Sequence, residues 1–147
     1  MRITDRQELR LQLLAHEGSG PMRVGRHFPY RCPAGKLTIG YGRNLDDVGI
    51  SAEEARDLLD HDINLCLLDL ATFGWFYALD PIRQMALVDM RFQLGPSGFR
   101  AFHQMLAALT DGAFDAAAAE CLHSKYATTD APARPAMIAE MLRTGQA

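Results

Sequence analysis

The chain has 147 residues, of which 48% are hydrophobic and 22% charged, with a formal net charge of -3. Those values suit one globular domain that builds its own core, and they exclude a disordered chain. Three cysteines (Cys32, Cys66 and Cys121) are an odd number in a chain of this size, so reduced thiols are expected rather than a disulfide framework.

The charge is unevenly spread. Residues 1–45 hold eight Arg and Lys against three acids, a balance of +5, and the remainder holds seven against fifteen, a balance of -8. A basic N-terminal part suits a polyanionic partner; a plain solvated surface explains the same numbers. Nucleic acid is a poor candidate, because zinc-finger spacing and the aromatic and glycine pattern of single-strand binders are both missing. The N-terminal stretch MRITDRQELRLQLLAHEG is charged throughout, with no signal-peptide core, and no stretch of the chain approaches a membrane span. The expectation is synthesis in a cytosol.

In chain order, Thr4 and Gln7 form a capping box for a first helix. Leu9, Leu13 and Glu17 then fall on one face before Gly18 stops the helix. Residues 18–29, GSGPMRVGRHFP, lack periodicity and read as a loop. Tyr30-Arg31 and Leu37 to Tyr41 read as strands around the turn Cys32-Pro33-Ala34-Gly35, in which Pro33 suits a turn position and Gly35 a positive φ. Ser51 and Glu54 cap a helix that carries a broad apolar stripe to about residue 71. Asp80-Pro81 starts a largely apolar helix that Gly95-Pro96 should end. Shorter helices are expected at about 98–110, 112–123 and 133–143. The predicted fold is α+β in a single domain over 1–147: a small hairpin region at about 28–45 against a mainly helical lobe at about 50–147, with a cleft between them.

The chemistry concentrates near the hairpin. A carboxylate at a helix C-terminus, as Glu17 is placed, faces the negative end of the helix dipole, and burial against Leu13 would add to that; both effects keep it protonated, as a general acid requires. A surface glutamate at a helix end is the plain alternative. Gly40 and Gly42 bracket Tyr41 and let a polymer approach the backbone, and Thr38 offers a hydroxyl. His16 and His27 lack a third ligand nearby, so no metal is expected.

These residues stand in a pattern that resembles the phage-type lysozymes of glycoside hydrolase family 24. The resemblance rests on HEG at 16–18, GKLTIGYG at 35–42, DPIRQMALVDMRFQLG at 80–95, Gly98 with Phe99 and Phe102, and Arg134 with the closing LRTG. It implies a lysozyme-like fold and hydrolysis of the β-1,4 bond between N-acetylmuramic acid and N-acetylglucosamine in bacterial peptidoglycan, without cofactor or metal. It places the catalytic acid on Glu17, the cleft threonine on Thr38 and the second catalytic position on Cys32, where the family usually has Asp. Gly40, Tyr41, Gln93 and Arg134 become substrate-site residues, and Arg134 matches an arginine that pairs with the catalytic glutamate.

Cys32 then has three readings: a functional thiol whose thiolate fraction is raised by Arg31, Lys36 or a turn amide; a spectator, with Asp46 or Asp47 assisting Glu17; or the mark of a catalytically silent wall-binding protein. The connection between Glu17 and Tyr30 is longer than is usual in the family and adds Arg23, Arg26 and His27. A monomer is expected, made in the host cytoplasm, acting on the cell wall and released with the help of a holin-like membrane protein. Chitin-like N-acetylglucosamine polymers are the alternative substrate.

Overall fold

The structure is a computed structural model that describes residues 3–124, 126 and 133–147, without the side chains of Ile3 and Thr4. The capping box expected at Thr4 therefore lies outside the described side chains. The architecture is α+β, as expected, and the contacts group into two compact units, Met1–Arg56 and Asp57–Ala147.

The first unit opens with α1 (Ile3–Glu17), which ends where Gly18 takes φ 68. The segment read as a loop contains a hairpin of β1 (Met22–Arg23) and β2 (Arg26–His27), with Met22 opposite His27. Its two-residue tip, Val24-Gly25, has φ of 49° and 71°. Positive φ at both central positions is the twist-matched way to join two such strands. The usual Asn-Gly or Asp-Gly signal is absent, which is why the sequence pattern does not announce it.

A three-stranded antiparallel sheet follows, ordered β3 (Tyr30–Arg31), β4 (Leu37–Ile39), β5 (Arg43–Asn44). Thr38 sits at its centre, opposite Tyr30 on one side and Asn44 on the other. The turn before β4 forms as its residues predict: the Gly35 amide donates to the Cys32 carbonyl at 2.8 Å, and Gly35 takes φ 78. The third strand is an addition to the expected pair. The capping box at the start of α2 (Ala52–Leu70) is present, with the Glu54 amide donating to Ser51 Oγ and the Ser51 amide to Glu54 Oε2. Arg43 of β5 grips the same carboxylate through both guanidinium nitrogens, at 2.7 and 2.9 Å. The strand and the cap are thereby held to each other.

The second unit is helical. It takes in the remainder of α2, α3 (Pro81–Arg100), α4 (His103–Thr110), α5 (Phe114–Leu122) and α6 (Ala133–Thr144). Asp80 caps α3 by accepting from the Arg83 amide, and Arg83 donates to the carbonyls of Leu142 and Arg143, satisfying the end of α6. Phe76, Leu87, Met90, Phe99, Met105, Ile138 and Leu142 form a fully buried core. Gly95 breaks the helical backbone with φ 74 and ψ 172, yet the helix resumes at once and runs to Arg100. The stop expected at Gly95-Pro96 is therefore a kink, because proline is well tolerated in the first turn of the resumed segment. No helix among the described residues is long and apolar enough to cross a membrane.

Candidate functional site

The centre of the candidate site is β4 with the turns at its two ends. Past its C-terminal end, Gly40-Tyr41-Gly42 leads into β5, with φ of 62° at Gly40 and 88° at Gly42. A Cβ built on Gly42 would lie 3.3 Å from Glu17 Oε2. The glycine thus leaves the space in which the carboxylate of the last residue of α1 rests. Glu17 itself is exposed, and so are Leu9 and Leu13 on its helix face, at 40% and 47%. That corrects the expectation of a glutamate buried against Leu13: the last turn of α1 projects its carboxylate over an open glycine turn, not into an apolar seam.

At the other end of β4, Cys32 is half-buried within its own turn. The backbone N–H of Lys36 holds the thiol below its ordinary value, with help from the Ala34 N–H and the Thr38 hydroxyl and against the effect of burial. Amides donating to sulfur stabilise the thiolate. Of the three sources expected, it is the turn amides that act. Arg31 is paired with Asp46 at 3.2 Å and Lys36 with Asp47 at 3.0 Å. Asp46 also accepts from the Leu37 amide, and Asp47 from Asn44 Nδ2. Both acids considered as assistants to Glu17 are therefore engaged in bracing the hairpin.

Thr38 is 3% exposed, and its hydroxyl donates to the Lys36 carbonyl at 2.9 Å. A hydroxyl has one proton, so the same group serves either that carbonyl or the Cys32 sulfur at a given moment. Tyr41 is exposed, with the His27 ring edge-on at a centroid distance of 5.1 Å. His27 is anchored in turn by its Nδ1 at 2.9 Å from the Ser19 carbonyl oxygen. The inserted hairpin is thereby tied to the β4–β5 turn, a connection with no signal in the sequence because it joins residues from two separate turns.

The first unit thus brings together Glu17, Cys32, Thr38, Gly40 and Tyr41. Gln93 and Arg134 belong to the second unit, Gln93 exposed on α3 and Arg134 at the start of α6. Within the second unit Arg134 pairs with Asp89 of α3, Nε to Oδ1 at 2.7 Å. Both residues border an apolar groove that also takes in Met85, Val88 and Phe92. A neighbouring carboxylate on an adjacent helix suffices to hold the guanidinium, and the 45-residue separation kept this partner out of reach of sequence reading.

Comparison with known proteins gives one family. The family described as Phage lysozyme matches residues 24–134. That span takes in Cys32, Thr38, Gly40, Tyr41, Gln93 and Arg134, and Glu17 precedes it. No curated protein matches the chain.

Proposed function

Because the chain belongs to the phage lysozyme family, a family of lysozyme-like hydrolases, we propose that it is a muramidase cleaving the β-1,4 bond between N-acetylmuramic acid and N-acetylglucosamine in bacterial peptidoglycan. The observation that carries the reading is the placement of the Glu17 carboxylate against Gly42, at one end of a strand whose other end presents a thiol favoured toward thiolate.

In this reading Glu17 donates its proton to the glycosidic oxygen as the bond to the anomeric carbon breaks. Water attacks that carbon from the opposite face and gives its proton to the Cys32 thiolate. Such a division of labour between an acid on the leaving-group side and a base on the water side inverts the anomeric configuration. A thiolate is a stronger base than the carboxylate usual at this position but is less populated near neutral pH; the amides of Lys36 and Ala34 offset that by favouring the charged form. Thr38 supports the thiolate. Gly40 admits the glycan to the backbone, and Tyr41 offers a ring face to a sugar. The proposed biological course is synthesis in the host cytoplasm and release to the wall through a holin-like partner, ending in lysis.

Digestion of purified peptidoglycan followed by mass analysis of the fragments tests this directly. Fragments ending in reducing muramic acid are expected from the wild type, with turnover about 10²- to 10⁴-fold lower in Glu17→Gln, the span of a lost general acid. Reducing glucosamine ends would sink the proposed bond choice. Full activity in Glu17→Gln would overturn the assignment of the acid, and binding to sacculi without any cleavage would make the protein a wall binder.

A further inference from the structure

The cations of the first unit fall into two groups. Arg31, Lys36 and Arg43, on or beside the sheet, each hold a carboxylate: Asp46, Asp47 and Glu54. Arg6 and Arg10 of α1, with Arg23 and Arg26 of the inserted hairpin, have no ion pair among the described residues. The sheet's cations are spent on holding its turns, and these four arginines, without an ion pair among the described residues, remain available to something else.

Arg6, Leu9, Arg10, Leu13 and Leu14 recur at i, i+3, i+4, i+7 and i+8, which places them on one face of α1. The same five residues and Tyr41 line an open cavity of about 700 Å³. Its chemistry is mixed: two guanidiniums on an apolar floor, with a tyrosine ring at one wall. A glycan of N-acetylglucosamine alone offers hydroxyls and acetamides, which need no cations, and a muramic strand freed of its peptides adds only the lactyl carboxylate held on the sugar itself. A short peptide of small residues carrying free carboxylates fits both halves, because guanidiniums bind carboxylates bidentately and apolar side chains receive methyl groups.

Position agrees with chemistry. Tyr41 lines the cavity, and its neighbour Gly42 faces the Glu17 carboxylate. In peptidoglycan the stem peptide is attached to the lactyl group of the muramic sugar, one of the two sugars at the scissile bond. A stem peptide must therefore leave the glycan within about one sugar of the acid. We infer that the cavity between α1 and Tyr41 is a subsite for the carboxylate-bearing stem peptide, with Arg6 and Arg10 as its anion-binding residues. The inference rests on the muramidase reading and adds the substrate's peptide branch to it. Arg23, stacked over Phe28 at 3.8 Å, and Arg26 extend the same positive field from the hairpin.

The test compares two forms of one substrate: intact peptidoglycan, and glycan strands from which an amidase has removed the stem peptides. For the full chain carrying Arg6→Gln and Arg10→Gln, KM on intact peptidoglycan is expected to rise on the order of tenfold, the loss of charge-assisted contacts, with KM on stripped strands, whose only carboxylate is the lactyl group on the sugar, changing far less. The Lys pair, R6K with R10K, should recover part of the loss, since it keeps charge and loses the planar fork. Single Arg10→Gln gives the same readout if the double variant melts early. An equal rise on both substrates, or no rise on either, overturns the subsite. So does a variant whose only defect is weaker binding to anionic phospholipid vesicles, which would assign the arginines to a lipid surface. If the wild type cleaves neither substrate, the muramidase reading has failed by itself; co-sedimentation then decides the subsite, with arginine-dependent retention on intact sacculi alone supporting it and equal retention on both overturning it.

Discussion

The two compact units are held together by different physics. In the first, Thr38 is the only buried residue among those described, and the sheet is braced by exposed ion pairs, glycine turns and a capping box. In the second, a contiguous core of fully buried Phe, Leu, Met and Ile side chains joins the helices. Exposed ion pairs are worth about 0–1 kcal/mol each, whereas each fully buried large apolar side chain contributes about 1.5–3 kcal/mol. Stability therefore concentrates in the helical unit, and the polar unit can hold open glycine turns, an exposed carboxylate and arginines with no ion pair among the described residues. The residues proposed to touch the scissile bond belong to the unit with the least buried surface, which is where a bulky polymer can be approached without opening a core.

The largest test of that contrast is Phe99→Ala, which removes a fully buried ring from the second unit. Equilibrium urea unfolding should show a loss of about 3–5 kcal/mol. Truncation of exposed Tyr41 in the first unit should cost far less, and comparable losses from the two would erase the contrast.

The thiols sharpen the comparison next. Burial pushes Cys121 up to about 11 and raises Cys66, whereas turn amides hold Cys32 below its ordinary value. Alkylation of the native protein by iodoacetamide at neutral pH, followed residue by residue by mass spectrometry, should modify Cys32 first. Cys121 should lag by more than about 100-fold, from its smaller thiolate fraction alone. Equal labelling of the three would mean that the turn does not favour the thiolate.

Acid provides the smallest effect. Asp69 of α2, held by Arg91 and Arg100, and Glu54, held by Arg43, each have a carboxyl lowered to about 2. A carboxyl with a folded value below its unfolded one stabilises the fold above the unfolded value, and that contribution is lost as pH falls through the folded value. The window runs from about 4 down to about 2 for both. Their side chains differ in exposure, 18% for Asp69 against 41% for Glu54. Solvent screens the second more strongly. Unfolding free energies at pH 6 and pH 3 should therefore differ less in Asp69→Asn than in the wild type, with a weaker flattening in Glu54→Gln; the reverse order would place the tighter electrostatics in the first unit.

Much of the fold was readable because its signals are local. Ser51 with Glu54, Asp80 with Pro81, and Gly35 after Cys32-Pro33 each act within four residues, and all formed as expected. The inserted hairpin escaped because Val24 occupies a backbone region that β-branched residues rarely enter, so the pattern carried no turn signature. Among the residues of the candidate site, the chain pattern picked out Glu17, Cys32, Thr38 and the glycines around Tyr41. It could not place the Glu17 carboxylate over Gly42, pair Arg134 with Asp89, or divert Arg31 and Lys36 from the thiol to Asp46 and Asp47.

The sequence by itself determined the order of the main helices and the central strand pair, the caps at Ser51 and Asp80, the turn at Gly35, and the candidate groups for chemistry, because these depend on residue type and on spacings of a few positions. Tertiary structure alone decided which charges are neutralised and which are left available, how exposed the Glu17 carboxylate is, and which donors surround the Cys32 sulfur. Those properties belong to pairs of groups brought together from separate elements, and in a chain of 147 residues the candidates for such pairs far outnumber the ones that folding selects.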